Sequence, residues 1–186
     1  MVQTAQAHPS DENPHDVLGG TALSARGRYL IIMAKGIIIE SVKDALAAGS
    51  NIVESAEKEV MWLLEPAILA LSFQFGIPNK TKMLIENGGR VRGITKISGS
   101  SLDVARKLVD NGEELRHIDQ YQGAFMLVVD KKESISSINV NSVDVSLDDP
   151  LVAFWTNDQS YTEFLIATFE TAWSEGVDAE KRIREL

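Results

Sequence analysis

The spacing of apolar and polar positions divides the chain into helical and strand-like segments. Over residues 37–58 the apolar side chains recur every three or four positions, which predicts an amphipathic helix. The apolar run over residues 59–64 stops at Glu65 and Pro66, a pattern that is typical of a buried strand. Residues 67–76 are interpreted as a loop or a short helix.

The rest of the chain continues this alternation of helices and strands. The predicted elements are a helix over 79–87, a strand over 90–97, a helix from Ser100 or Ser101 to Asn111, strands over 114–121, 123–130 and 134–139, an acidic loop over 141–149, and a strand over 151–155. A long amphipathic helix follows Asp158, and in it Ser160 and Glu163 have the spacing of a capping box. This order predicts an α/β fold with a mixed β-sheet flanked by helices.

Composition indicates one globular domain behind a polar N-terminal tail. The chain has 186 residues, of which 44% are hydrophobic and 24% charged, as in ordinary globular domains. Residues 1–27 are polar and are expected to be a disordered tail, which leaves residues 28–186 as a single domain. His8 and His15 lie in this tail and are interpreted as solvated side chains rather than metal ligands. The charged C-terminus over residues 178–186 is expected to be a solvated helix end or a contact with a partner.

Charge and cysteine content narrow the function classes. The formal net charge of −9 argues against a broad cationic surface, so direct nucleic-acid binding is not expected. The chain has no cysteine, which excludes disulfides and thiolate metal sites and fits a cytoplasmic protein. The N-terminus lacks the pattern of a secretory signal, and no apolar run is long enough to span a bilayer, so no membrane association is expected.

One stretch has the spacing of a catalytic motif without its reacting residues. The phospholipase D superfamily carries H-x-K-x4-D followed by G-S-x-N, and this chain resembles that pattern. The two reacting positions fall at Gly123 and Phe125, and Asp130 occupies the aspartate position. Ser137 and Asn139 fall within the second motif. Neither glycine nor phenylalanine can act as a nucleophile or neutralise a phosphate, so the resemblance implies a phospholipase-D-like scaffold without phosphodiesterase chemistry.

A longer segment, residues 59–175, resembles the phospholipase-D-like domains of archaeal regulators. These are the ligand-binding half of TrmB-type transcription regulators and the sensory domains of archaeal histidine kinases. The likeness rests on several short runs, including residues 60–64, 86–94, 114–118 and 152–158. It implies a role in archaeal signal transduction or transcription regulation.

Polar residues at the predicted strand ends form the candidate ligand-binding set. Its members are Glu65, Thr95, Ser98, His117, Tyr121, Asn157 and Asp158. In open α/β sheets ligands bind at the ends of strands, and these side chains suit a small charged or hydroxyl-rich ligand. His117 and Asp119 would share one face of a strand and could form a hydrogen-bonded pair. The alternatives are ordinary loop chemistry, a mild surface ion pair, and helix capping by Asn157 and Asp158.

Three functional hypotheses follow. The first is a non-catalytic sensory or regulatory module that binds an unidentified small molecule or signalling protein, with homodimerisation as an option. The second is a small hydrolase that uses Glu65, His117 and Asp119 at the strand ends. The third is a DNA-associated regulator that acts as a partner subunit. No catalytic residue, metal or cofactor is predicted under the first hypothesis.

Overall fold

The computed structural model describes residues 36–119, 125–137 and 145–186 of the chain. Its strands are β1 (Gly36–Ser41), β2 (Glu59–Leu63), β3 (Arg90–Thr95), β4 (Glu114–His117), β5 (Phe125–Val129), β6 (Glu133–Ser137), β7 (Pro150–Thr156) and β8 (Val177–Asp178). Its α-helices are α1 (Val42–Glu54), α2 (Pro66–Ser72), α3 (Ile77–Glu86), α4 (Leu102–Asp110), α5 (Gln159–Glu175) and α6 (Ala179–Arg184). Short 3₁₀ turns over Phe73–Phe75 and Gly99–Ser101 precede α3 and α4.

All eight described strands belong to one sheet, in the order β1-β7-β6-β5-β2-β3-β4-β8. Strands β2, β3 and β4 are parallel and are joined by helices, as parallel neighbours require. From β2 outward on the other side, β5, β6, β7 and β1 are each antiparallel to their neighbour. The sheet is therefore mixed and flanked by helices, which confirms the predicted fold class.

The two faces of the sheet are covered unequally. Successive strand residues point to opposite faces, so Met61 and Trp62 enter different cores. The larger core packs residues from α1 to α4 against the face that carries Trp62, Phe125 and Leu127. On the face that carries Met61, α5 supplies Leu165 and Phe169 to the smaller core. Helix α5 therefore covers that second face of the sheet.

A glycine in β3 shapes the centre of the larger core. The Trp62 ring lies so close to Gly93 that a Cβ atom at position 93 would be 2.1 Å from Trp62 Cζ2. The indole can therefore cross β3, and its Nε1 donates a hydrogen bond to Glu113, the residue directly before β4. One side chain thus ties three neighbouring parallel strands together.

The prediction of a helix over the whole of residues 37–58 is wrong at its start. Gly36–Ser41 is an edge strand paired with β7, with Ile38 opposite Phe154. Ser41 ends this strand and caps α1, because its Oγ accepts the amide hydrogen of Asp44. The three consecutive isoleucines suit a strand, since β-branched side chains pack well on a pleated sheet.

The C-terminal region also departs from its prediction. Asp158 caps α5, and its carboxylate accepts the amide hydrogen of Tyr161, so the predicted capping box at Ser160 is wrong. Residues 177–178 add β8 to the outer edge of β4. Helix α6 then packs on β4 and α4 and buries Ala179, so this segment is not simply a solvated helix end.

Candidate functional site

One edge of the sheet collects five of the residues singled out from the sequence. Strands β2, β3 and β4 are parallel and end there, which places Glu65, Thr95 and His117 side by side. Strand β5 is antiparallel to β2 and begins at this edge with Phe125, which pairs with Ser137 at the end of β6. All five residues are buried. We call this set the strand-end cluster.

Asn157 and Asp158 do not join the strand-end cluster. They follow Thr156, which pairs with Ser134 near the start of β6 and therefore lies at the opposite edge of the sheet. Asp158 contributes to the cap of α5 there. The sequence pattern predicts that β7 is a strand but contains no information on its direction, and the direction decides which edge its end reaches.

The remaining predicted residues divide into two groups. Tyr121, Gly123 and Asn139 lie outside the described residues, as do His8 and His15. Ser98 begins the turn before α4, and its amide donates to the Ser101 hydroxyl in a capping box. Ser101 Oγ in turn donates to the carbonyl of Lys96. These serines therefore shape the turn that leads from β3 into α4.

The motif position Phe125 is part of the core. Its side chain is 4% exposed and belongs to the larger core. It points to the same face as Leu127 and lines a small cavity together with Trp62. A lysine at this position would have to extend toward solvent to meet a phosphate, whereas the phenylalanine ring is packed inward.

Asp130, which was predicted to be the aspartate of the motif, lies at the other end of the same strand. Its carboxylate accepts three backbone amide hydrogens, from Glu57, Lys58 and Glu59, at 2.8–2.9 Å. Burial tends to raise the pKa of Asp130, but these amide hydrogen bonds outweigh it and hold the pKa below its usual value. Asp130 therefore fastens the β5–β6 turn to the segment that precedes β2.

Both ring nitrogens of His117 are engaged. Nδ1 accepts the amide hydrogen of Ile97 at 2.9 Å, so the neutral ring carries its proton on Nε2. Nε2 lies 3.1 Å from the Asp119 carboxylate, as the shared strand face predicts. The imidazole thus joins β4 to the loop that follows β3. Thr95 has a comparable role, since its fully buried hydroxyl donates to the carbonyl of Leu64.

Two buried charged residues were not identified from the sequence. Arg92 is 6% exposed, contacts Glu59 and Glu170, and stacks on the rings of Phe169 and Trp173. A charged residue among the apolar residues of a predicted strand is the sequence signal that could have indicated a buried ion pair. Glu113 is 5% exposed, and burial raises its pKa to about 7 although hydrogen bonds from Thr81 and Trp62 oppose this. Nothing in the local sequence pattern marks Glu113 as buried.

Within the described ranges no group of three or more histidine, aspartate or glutamate side chains is placed to hold a metal ion. None of the described helices has the length and apolar character needed to cross a membrane. The strand-end cluster contains hydroxyl, carboxyl and imidazole groups. Both nitrogens of its imidazole already have hydrogen-bond partners.

Comparisons with known proteins agree with this geometry at the level of the fold. No protein-family profile matches the sequence, and no curated protein matches it. Among solved structures, TrmBL2, described as an archaeal chromatin protein with a novel mode of DNA binding, superposes with a TM-score of 0.62 at 14% identity. The match covers 80% of this chain but only 56% of TrmBL2.

Two further solved structures share the same fold. Nuc from Salmonella typhimurium, a phospholipase D family member, has a TM-score of 0.60 at 13% identity, over 77% of this chain and 97% of its own. NucT from Helicobacter pylori has a TM-score of 0.61 at 13% identity, and the match covers 77% of this chain and 98% of NucT. These likenesses establish a phospholipase-D-like fold.

The expectation that the chain does not bind nucleic acid directly is wrong. TrmBL2 has this fold and is described as binding DNA. Net charge is a sum over the whole surface, whereas contacts to phosphates depend on where the cations lie. A formal net charge of −9 therefore does not exclude such a role.

Proposed function

We propose that this chain is a non-catalytic regulatory module on a phospholipase-D-like scaffold, which acts by binding rather than by cleaving phosphodiesters. The observation that carries the proposal is Phe125, which occupies the lysine position of the motif and is 4% exposed in the core. The sequence supplies glycine at the histidine position, Gly123. Archaeal signal transduction or transcription regulation is the setting that the resemblance suggests.

His117 is poorly placed to substitute for the missing histidine. It lies on β4, which is three strands away from β5 in the sheet. At the usual spacing between strands this separation is about 14 Å. Its two nitrogens are also occupied by Ile97 and Asp119. The arrangement therefore supports the regulatory hypothesis over a hydrolase that uses Glu65, His117 and Asp119.

A phosphodiesterase assay tests this proposal. Purified protein would be incubated with bis(p-nitrophenyl) phosphate and with single- and double-stranded DNA. We expect the same background rate for the wild type, for His117→Asn and for Asp119→Asn. Circular dichroism would establish that both variants are folded. Hydrolysis by the wild type that both substitutions abolish would refute the proposal and favour the hydrolase.

A second candidate function, association with DNA, is favoured by the likeness to TrmBL2. Helix α6 packs on α4, and Arg182 Nε lies 3.4 Å from the carbonyl oxygen of Ile97. This brings the cations of α6 close to exposed Lys96, although acidic residues are interspersed with them. A duplex could contact this corner through its phosphates.

Fluorescence anisotropy with a labelled duplex tests this candidate. We expect affinity to fall steeply between 50 and 200 mM salt, as in counterion release, roughly 10-fold or more for a few phosphate contacts. The double variant Lys96→Glu, Lys181→Glu should weaken binding, whereas Lys43→Glu on α1 should change it little. Equal effects of the two variants would exclude this corner as the contact surface, and no binding at low salt would refute DNA association.

A further inference from the structure

Glu113 is a buried carboxyl group that the proposed function does not use. It lies in the turn between α4 and β4, at the edge of the sheet opposite the strand-end cluster. It forms part of the wall of a cavity of about 30 Å³ between the sheet and helices α1 to α4. The other lining residues include Trp62, Leu69, Thr81, Leu108 and Phe125. A space of this size holds about one or two water molecules.

The hydrogen bonds of Glu113 link a helix to the sheet. Oε2 accepts from Trp62 Nε1 at 3.0 Å, and Oε1 lies 2.6 Å from Thr81 Oγ1 on α3. The Thr81 hydroxyl is also 3.1 Å from the carbonyl oxygen of Pro78. Because a hydroxyl has a single hydrogen, Thr81 can donate to only one of these two acceptors at a time.

The protonation state of Glu113 decides which arrangement forms. When Glu113 is neutral, its carboxyl group donates to Thr81, and Thr81 donates to the Pro78 carbonyl. Each group in this series of hydrogen bonds then has a partner. When Glu113 is ionised, Thr81 must turn and donate to the carboxylate. The Trp62 indole donates to Glu113 in both states. The hydroxyl of Thr81 is therefore a two-position element that responds to one proton.

Among the described residues, the charged groups on the surrounding elements point elsewhere. On α3, Lys80 binds Glu54 and Ser50, and Lys82 lies near Glu86. On α4, Lys107 lies over the ring of Phe73, while Arg106, Asp103 and Asp110 are exposed. On β4, Glu114 binds Arg90 of β3. On α1, Lys43 is exposed and Asp44 lies beside Ser41.

The energetic consequence is that an ionised Glu113 would lack a counterion. The carboxylate would be held by two neutral donors in an apolar cavity, where burial favours the neutral acid. The rise of its pKa to about 7 has the same cause, since burial is the largest influence on it.

We propose that Glu113 is a proton-operated latch: α3 stays packed on the sheet while the carboxyl group is neutral, and ionisation favours opening of this packing, because the buried carboxylate has no counterion there. Ionisation reverses the Thr81 hydrogen bond and favours entry of water into the adjacent cavity. The latch responds near neutral pH, where small changes in acidity alter its state. It does not depend on the proposed regulatory function and would remain if the protein proved to be a hydrolase.

The direction of the pH effect follows from proton binding. The folded state binds the Glu113 proton more tightly than the unfolded state, whose pKa is near the ordinary value of 4.5. Between these two values the unfolded state carries fewer protons, so the free energy of unfolding falls as pH rises. For a chain of this size the change from pH 6 to pH 8 corresponds to a loss of roughly 4 °C in Tm.

Thermal unfolding of the full chain between pH 5.5 and 8.5 tests the latch. Glu113→Gln mimics the neutral acid, because its amide can donate to Thr81 while its oxygen accepts from Trp62. Glu114→Gln is the matched control, since Glu114 is the adjacent residue but is exposed and paired with Arg90. We expect the wild type and Glu114→Gln to lose Tm above pH 6, and Glu113→Gln to lose much less.

A second measurement does not depend on a substitution. The carboxyl carbon of Glu113, followed by NMR in the wild type, should titrate near neutral pH, and amide exchange along α3 should accelerate over the same range. Titration of Glu113 near its ordinary value, or the same pH dependence of Tm in wild type and Glu113→Gln, would overturn the proposal.

Discussion

At the residue scale, Asp130, the predicted aspartate of the motif, has a structural role. The chain reverses at Asp130 and Lys131, which have φ values of 50° and 59°. This left-handed conformation is uncommon for residues other than glycine and is held here by the contacts of the Asp130 carboxylate. The carboxylate accepts hydrogen bonds from three consecutive backbone amides, those of residues 57–59, which lead into β2. The motif aspartate thus joins the hairpin to the central strand.

Replacing this carboxylate should destabilise the fold. Asp130→Ala removes three charge-assisted hydrogen bonds from partly exposed amides, so we expect a loss of about 1–3 kcal/mol at pH 7. Because the folded-state pKa of Asp130 is lowered, its contribution is present above the ordinary value of 3.8 and is lost as pH falls through the folded-state pKa. Urea denaturation at pH 7 and pH 3 would measure both effects.

Asp148→Ala is the control for this experiment, because Asp148 is an exposed residue in the loop before β7. It should change the free energy of unfolding by less than about 0.5 kcal/mol. An Asp130→Ala variant as stable as this control would show that the three amide contacts contribute nothing.

At the element scale, Arg92 connects α5 to the sheet. Its guanidinium contacts Glu59 of the neighbouring strand β2 and Glu170 of α5, each within 3 Å. It also stacks on the rings of Phe169 and Trp173. Arg116 makes a parallel contact, because it lies over Trp173 and donates to the Trp173 carbonyl. Two arginines on adjacent strands therefore fix the position of one helix.

Removal of the buried guanidinium should be costly. Arg92→Met leaves Glu59, whose side chain is 14% exposed, without its main partner, so we expect a loss of roughly 3–5 kcal/mol. Arg90→Met is the control on the same strand, because the Arg90–Glu114 pair is about half exposed and should be worth less than about 1 kcal/mol. Denaturation of both variants with guanidinium chloride would measure their free energies of unfolding. Similar losses of stability would argue against a supporting role for Arg92.

A second prediction at this scale concerns the Trp62 ring, which passes over Gly93 of β3. Gly93→Ala would place a methyl group within the Trp62 ring and displace the indole from Glu113. We expect a loss of about 1–3 kcal/mol and a change in tryptophan fluorescence. At Gly99 a Cβ atom meets nothing within 4 Å, so Gly99→Ala should be close to neutral. If Gly93→Ala is equally neutral, the sheet can accommodate the indole elsewhere.

At the scale of the whole molecule, one eight-stranded sheet with helices on both faces organises the described chain. Among the described residues, its cores are formed from Ile39 onward. The assignment of residues 1–27 to a separate tail stays a prediction. We expect their deletion to leave Tm within about 2 °C of the full chain, as measured by calorimetry, because so polar a segment has little apolar surface to bury. A larger loss would show that the tail stabilises the domain.

Several elements were predictable because their signals are local. Residues 59–64 and 123–130 are read as strands, since strands that are buried on both faces appear as continuous apolar runs. Helix α4 has an apolar stripe and a terminal Asn-Gly, so its bounds are within two residues of the prediction, although the Ser101 side chain does not cap it as expected. Residues 37–41 were misread because an apolar edge strand runs directly into a helix, and the two periods overlap.

The amino-acid order by itself determined the α/β class and most of the strands and helices, and it placed a glycine and a phenylalanine at the predicted motif positions 123 and 125. These features depend on residue type and on neighbours a few positions apart. Only the tertiary structure decided that β7 runs antiparallel and takes Asp158 away from His117. It alone brought Glu113 to Trp62, 51 positions earlier. Strand direction and buried polar contacts depend on residues far apart in the chain, which local periodicity does not record.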